Sequence, residues 1–138
     1  MSSISNFKAY CLGAAVVVAV PSLAGAYLMF KAIFSLPVAI ILYGSVVSSG
    51  FITAWFAQSR KVALATLLAL PFAASMVIAN AIHYLMGFPT DTPGIYGAWV
   101  VTTVSLPVGV LLCGTGGVMG WWASRSKHNN RLQRTGQG

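Results

Sequence analysis

Apolar and polar positions along this chain fall into long blocks instead of alternating. Four apolar stretches, at about residues 9–30, 34–57, 62–86 and 95–123, are separated by Lys31, by the polar run 58–61 and by the turn-rich run 87–94. Each stretch is near or above the roughly 20 residues that a helix needs to cross a hydrocarbon core of about 30 Å. Val and Ile are plentiful, so strands are the competing reading. The stretches are too long for strands, however, and lack the period-two alternation of a membrane barrel. Where water cannot satisfy peptide groups, an unbroken apolar run of this length is helical. The pattern therefore predicts an all-α integral membrane protein with four transmembrane helices (residues 1–123). A polar tail, 124–138, shows no apolar period and is expected to hold little fixed structure.

Composition agrees. The chain of 138 residues is 57% hydrophobic and 7% charged, against about 25% charged in an ordinary soluble domain. Charge then sets orientation. Lys8, Arg60, Lys61, Arg125, Lys127, Arg131 and Arg134 share one side if four helices alternate, and only Lys31 falls on the other, with the single acidic residue Asp91. Basic residues in short flanks stay cytoplasmic, which predicts a cell inner membrane protein with both termini inside. Trp55, Trp121 and Trp122 then mark the inner interface. Tyr27, Tyr84, Phe88, Tyr96 and Trp99 mark the outer one, where amphipathic rings settle. Lys8, the apolar run after it and Ala24-Gly25-Ala26 also resemble a secretory signal with a small-residue cleavage site. The run continues through Tyr27-Leu28-Met29-Phe30 without a polar break, which favours a retained first helix.

The chain also matches itself. Residues 35–45 (SLPVAIILYGS) read onto 105–115 (SLPVGVLLCGT) with six of eleven positions identical and four conservative. Downstream, Ala54-Trp55-Phe56-Ala57 echoes Gly120-Trp121-Trp122-Ala123, each ahead of a basic cluster. More weakly, Ala19-Val20-Pro21 echoes Ala69-Leu70-Pro71. Two tandem helical hairpins, related by an axis along the membrane normal, would produce this; so would the small alphabet of apolar sequence. The halves are unequal, since a fourth helix of about 29 residues would reach roughly 43 Å. It must tilt, protrude or break near Pro107. Each predicted helix holds one proline (Pro21, Pro37, Pro71, Pro107), expected to kink it and free a carbonyl one turn earlier.

Ser45, Ser48, Ser49 and Thr53 are spaced to share a face of the second helix, beside Gly44 and Gly50. The fourth helix carries Gly114, Thr115, Gly116, Gly117 and Gly120, with a Gly-x-x-x-Gly at Gly116 and Gly120. These residues could line a path for a small solute. Close packing is the stronger reading, because small residues let helix backbones approach in lipid. Ala65, Ala69 and Ala73 invite the same interpretation.

Asn80, His83 and Tyr84 fall on neighbouring turns of the third helix, ahead of Asp91. An ionisable group within the membrane marks a functional candidate: His83 could bind metal, relay a proton or pair with Asp91. Near an interface it can simply face water and headgroups. Haem between two helices would need a second His, and His128 is predicted on the opposite side, so only a dimer could supply two copies of His83. Cys11 and Cys113 are expected at different depths, too far apart to bridge, and read as small apolar residues.

The sequence has no Glu, and its one Asp lies outside the predicted helices. A coupled exporter of organic cations usually relies on a buried carboxylate. No phosphate loop, metal cluster or nucleophile–base pair is legible, so neither an enzyme nor a cofactor is expected. Arg60, Lys61, Arg125, Lys127, Arg131 and Arg134 suit anionic lipid at the cytoplasmic face. Nucleic acid is not expected, since no aromatic interleaving accompanies them. Three functions remain as expectations. The first is a non-enzymatic accessory or protective membrane subunit, as a homo-oligomer or with a membrane-protein partner. The second is a transport or channel module acting as an oligomer. The third, weaker, is a haem or redox subunit through His83.

Overall fold

The computed structural model describes residues 5–31, 36–87 and 94–135. Every element among them is α-helical: α1 (Asn6–Lys31), α2 (Leu36–Phe56), α3 (Lys61–Leu67), α4 (Ala69–Leu85) and α5 (Gly94–Thr135). Four spans are long and apolar enough to cross a membrane: Asn6–Tyr27, Leu36–Phe56, Lys61–Leu85 and Ile95–Ser126. The third span joins α3 to α4. Leu, Val, Ile and Ala dominate these segments, and only an intrahelical ladder satisfies so long an apolar backbone.

The prolines explain where the ladder breaks. Pro37 is the second residue of α2, a position whose N–H would be unpaired anyway; it therefore kinks nothing, unlike the sequence expectation. Pro71 has no N–H to offer the Leu67 carbonyl. The third span stops at Leu67 and restarts at Ala69, so that Pro71 falls in the first turn of α4. Leu68 N–H closes the end of α3 by donating to Ala65 O at 3.1 Å, and the Tyr10 hydroxyl of α1 reaches the released Leu67 carbonyl at 3.5 Å. Pro21 and Pro107 sit inside helices that continue past them. The fourth span thus continues through Pro107 without breaking there. Its backbone remains helical to Thr135, where the sequence predicted little fixed structure beyond 123. No Pro or Gly occurs between Gly120 and Gly136 to end it.

The spans form a ring in which α2 packs on α1 and α5, and α4 packs on α1 and α5. Because of the break, α3 leans instead toward α5 and α2. The core draws on all four spans: Val17 from α1, Leu42 and Val46 from α2, Leu68 and Phe72 around the break, and Cys113 from α5. Large apolar side chains on the remaining faces, among them Leu23, Ile40, Leu70, Val104 and Leu111, are exposed. A soluble protein would not display so continuous an apolar surface.

One end is tied by polar groups. The Asn6 side-chain oxygen accepts the backbone N–H of Gln58 at 2.9 Å and of Ser59 at 3.2 Å, while its amide donates to Ser59 Oγ at 2.8 Å. Lys61 Nζ donates to Ser124 Oγ at 3.0 Å. These bonds bring the start of α1, the α2–α3 turn and the far half of α5 to a common end, which is also where Lys8, Arg60, Lys61 and Arg125 gather. We refer to it as the basic end.

Candidate functional site

The hydroxyl stripe of α2 divides once it is folded. Ser49 and Thr53 are completely buried, Ser45 is half-buried and Ser48 is exposed. Three of these hydroxyls are spent on backbone carbonyls. Ser45 Oγ donates to Leu42 O and Ser49 Oγ to Val46 O, both at 2.7 Å, and Thr53 Oγ1 donates across to Ala9 O of α1 at 3.4 Å. Such bonds satisfy a hydroxyl inside an apolar bundle. They also leave it little capacity to replace a solute's hydration shell.

Beside this stripe lies the tightest seam of the molecule. A methyl group on Gly116 would overlap the Val47 carbonyl oxygen, one on Gly50 would overlap Cys113 O, and one on Gly120 would come within 2.5 Å of Phe51 O. Gly116 and Gly120 thus face α2, as their spacing requires. Cys113, one turn earlier on the same face, is fully buried, and its thiol lies 3.8 Å from Val46 O. A second small-residue face of α5 meets the third span. A Cβ on Gly109 would sit 3.1 Å from Ala69 Cα, and one on Gly117 would sit 2.6 Å from Ala65 Cβ. Ala65, Ala69 and Ala73 are accordingly buried. The last helix is wedged between two neighbours by glycine on both flanks.

At the opposite end the predicted cluster is not a single surface. His83 is 9% exposed, Asn80 is half-buried and Tyr84 is 56% exposed. The burial of His83 within its own bundle is unfavourable to haem shared by two copies, which needs the imidazole at a surface. Asp91, its proposed partner, and Phe88 lie outside the described residues. No group of three or more His, Cys, Asp and Glu side chains converges among the described residues. Cys11 is exposed and Cys113 buried, and both are free thiols.

The basic end holds an open concavity. An open cleft of about 400 Å³ is lined by residues 58–63 and Trp121. Arg60, at the hinge between α2 and α3, has φ 49°, a left-handed conformation unusual for a bulky residue. Lys61 is half-buried and held by Ser124. Ser124 in turn donates to Trp121 O at 2.8 Å, and the Arg125 guanidinium stacks 5.5 Å from the centre of the Trp121 ring. Lys127, Arg131 and Arg134 follow on the α5 backbone.

Two features escaped the sequence. Asn6 carries its signal only as a polar residue just ahead of an apolar run, and its target lies fifty-two residues away. Tyr10 looks like any apolar-run aromatic until the break at Pro71 supplies its acceptor. The chain matches no family model, no curated protein and no solved structure.

Proposed function

We propose that this chain is a small multi-pass protein of a cell inner membrane, with both ends cytoplasmic, that works without catalysis as an accessory or protective subunit. The observation that carries the reading is the close packing of the described interior. Interior hydroxyls donate to the bundle's own carbonyls, and glycines bring α5 against α2 and the third span. A path for a polar solute needs hydroxyls turned toward a common void, so the geometry favours a packing role over transport by one chain.

Orientation is supported by the collection of Lys8, Arg60, Lys61 and Arg125 at one end, since cationic flanks remain cytoplasmic. Exposed rings also fall at both ends of the bundle, with Trp121 and Trp122 at one and Tyr84, Tyr96 and Trp99 at the other. A partner would meet the outer flank of α5, whose apolar 18-residue stretch is 17% buried against 39% for that of the third span. That partner is a second copy or another membrane protein. The duplicated-hairpin reading rests on the sequence match: burial coincides at Ala39 and Gly109, Val46 and Gly116, and Gly50 and Gly120, and diverges at Tyr43 and Cys113 and at Ser49 and Met119.

Native mass after gentle extraction from the source membrane tests the proposal. Added protein in a fixed ratio to the 14.5 kDa chain identifies a subunit and names its partner. A bare oligomer that carries solute flux, lost when Ser45 and Ser49 are both changed to Leu, would replace the packing role with transport.

A further inference from the structure

Arg60, Lys61 and Trp121 line one cleft, and no carboxylate is among the described residues that line it. The chain's single acidic side chain is Asp91. Among the described residues the cations here are therefore positioned without an acidic partner. Lys61 is fixed by Ser124, and Ser124 and Arg125 both engage Trp121, so the wall of the cleft is braced before anything binds. The backbone N–H groups of Gln58 and Ser59 are already taken by Asn6, and the cationic side chains supply the charged donors.

We infer that this cleft is a discrete binding site for the phosphodiester headgroup of an anionic membrane lipid. The inference rests on the membrane reading above and goes beyond diffuse attraction of basic residues to a charged surface. Arg60 presents a planar fork of donors suited to phosphate oxygens, and Lys61 adds a point charge. Trp121 supplies the amphipathic ring that settles at headgroup depth, where its apolar body borders the acyl chains. The cleft's volume falls within the usual range of small-ligand sites, about 300–1,000 Å³. It opens beside the exposed apolar flank of α5, including Val118 and Trp122, along which the lipid's chains can lie.

The test uses the full chain in nanodiscs of zwitterionic lipid carrying about one-fifth phosphatidylglycerol, with retained lipid counted by native mass spectrometry after release into detergent. Arg60→Ala with Lys61→Ala should reduce retained phosphatidylglycerol about thirtyfold, at roughly 1 kcal/mol per cation. Arg131→Ala with Arg134→Ala removes the same charge beyond the cleft and should change retention less than twofold. Should the double variant fail to fold, Lys61→Gln deletes one charge, keeps a donor toward Ser124 and should lower retention about fivefold. Equal losses from both pairs would overturn the site in favour of diffuse attraction. Displacement of the lipid by millimolar inorganic phosphate would assign the site to free phosphate instead. Alkaline carbonate extraction of membranes separates the two levels of claim. A chain that stays in the membrane but shows no cleft effect defeats the site alone, whereas a chain that is extracted defeats the membrane reading as well.

Discussion

The seam between α2 and α5 and the seam between α1 and the third span hold the same bundle together by different means. In the first, backbone meets backbone: Gly50, Gly116 and Gly120 stand where any Cβ would strike a carbonyl or crowd it. In the second, side chains mediate. Tyr10 reaches Leu67 O, Ser22 reaches Ser75 O at 3.4 Å, and a methyl on Gly25 would press only mildly on Ala79 Cβ, at 3.3 Å. In the membrane setting proposed above, lipid is as apolar as Leu, so neither seam would gain from hydrophobic exclusion. Close dispersion contact secures one, and long, weak hydrogen bonds secure the other. The difference should appear as a steep gradient in tolerance to substitution.

The largest effect is expected at Gly116. Gly116→Leu should destabilise the chain by about 3 kcal/mol or prevent assembly of α5, because the obstruction is backbone and cannot swing aside. Reversible unfolding in mixed micelles would measure it, and a loss below about 1 kcal/mol would mean that the seam is far more compliant than its geometry. Gly50→Ala should follow at about 2 kcal/mol, the overlap with Cys113 O outweighing the gain in helix propensity. Combined with Gly116→Ala it should cost less than the two separately, since the first methyl already parts the helices. Full additivity would show two independent contacts.

The third prediction concerns the softer seam. Tyr10→Phe should cost about 0.6 kcal/mol, the average for a hydrogen bond between membrane helices. In a Pro71→Ala background the cost should vanish, because Leu67 O regains its intrahelical donor. A cycle with no coupling would mean that Tyr10 is held by packing alone. Smallest of all, Gly25→Ala should fall within about 0.5 kcal/mol of neutral, with helix propensity offsetting a shift of a few tenths of an ångström.

Much of this contrast was legible beforehand. Block hydrophobicity marked four spans, and the Gly-x-x-x-Gly at Gly116 and Gly120 marked a close approach. The neighbour it approaches was not legible, because spacing fixes a face and never its partner. The prolines show the same limit. All four carried the same expectation of a kink, yet only Pro71 interrupts a span, between a fully buried Leu68 and a foreign hydroxyl able to take the released carbonyl. Pro107, on the exposed side of α5, is carried through. The outcome depends on tertiary surroundings that no single window contains. Arg60 was legible as a topology signal, whereas its left-handed backbone and shared cleft with Trp121 arise only when the turn closes.

The wedge of α5 also has a history built into it. A ribosome delivers this helix after the other three spans, so the glycine-accommodating face of α2 must wait, unpaired, while the third span is made. Asn6 waits as well, since the amides it grips are synthesised after α1 and α2 have both emerged. The fourth span therefore enters a slot shaped by three earlier ones. A chain released before α5 would expose a ready-made groove, open to capture by quality-control proteases or by the α5 of another copy.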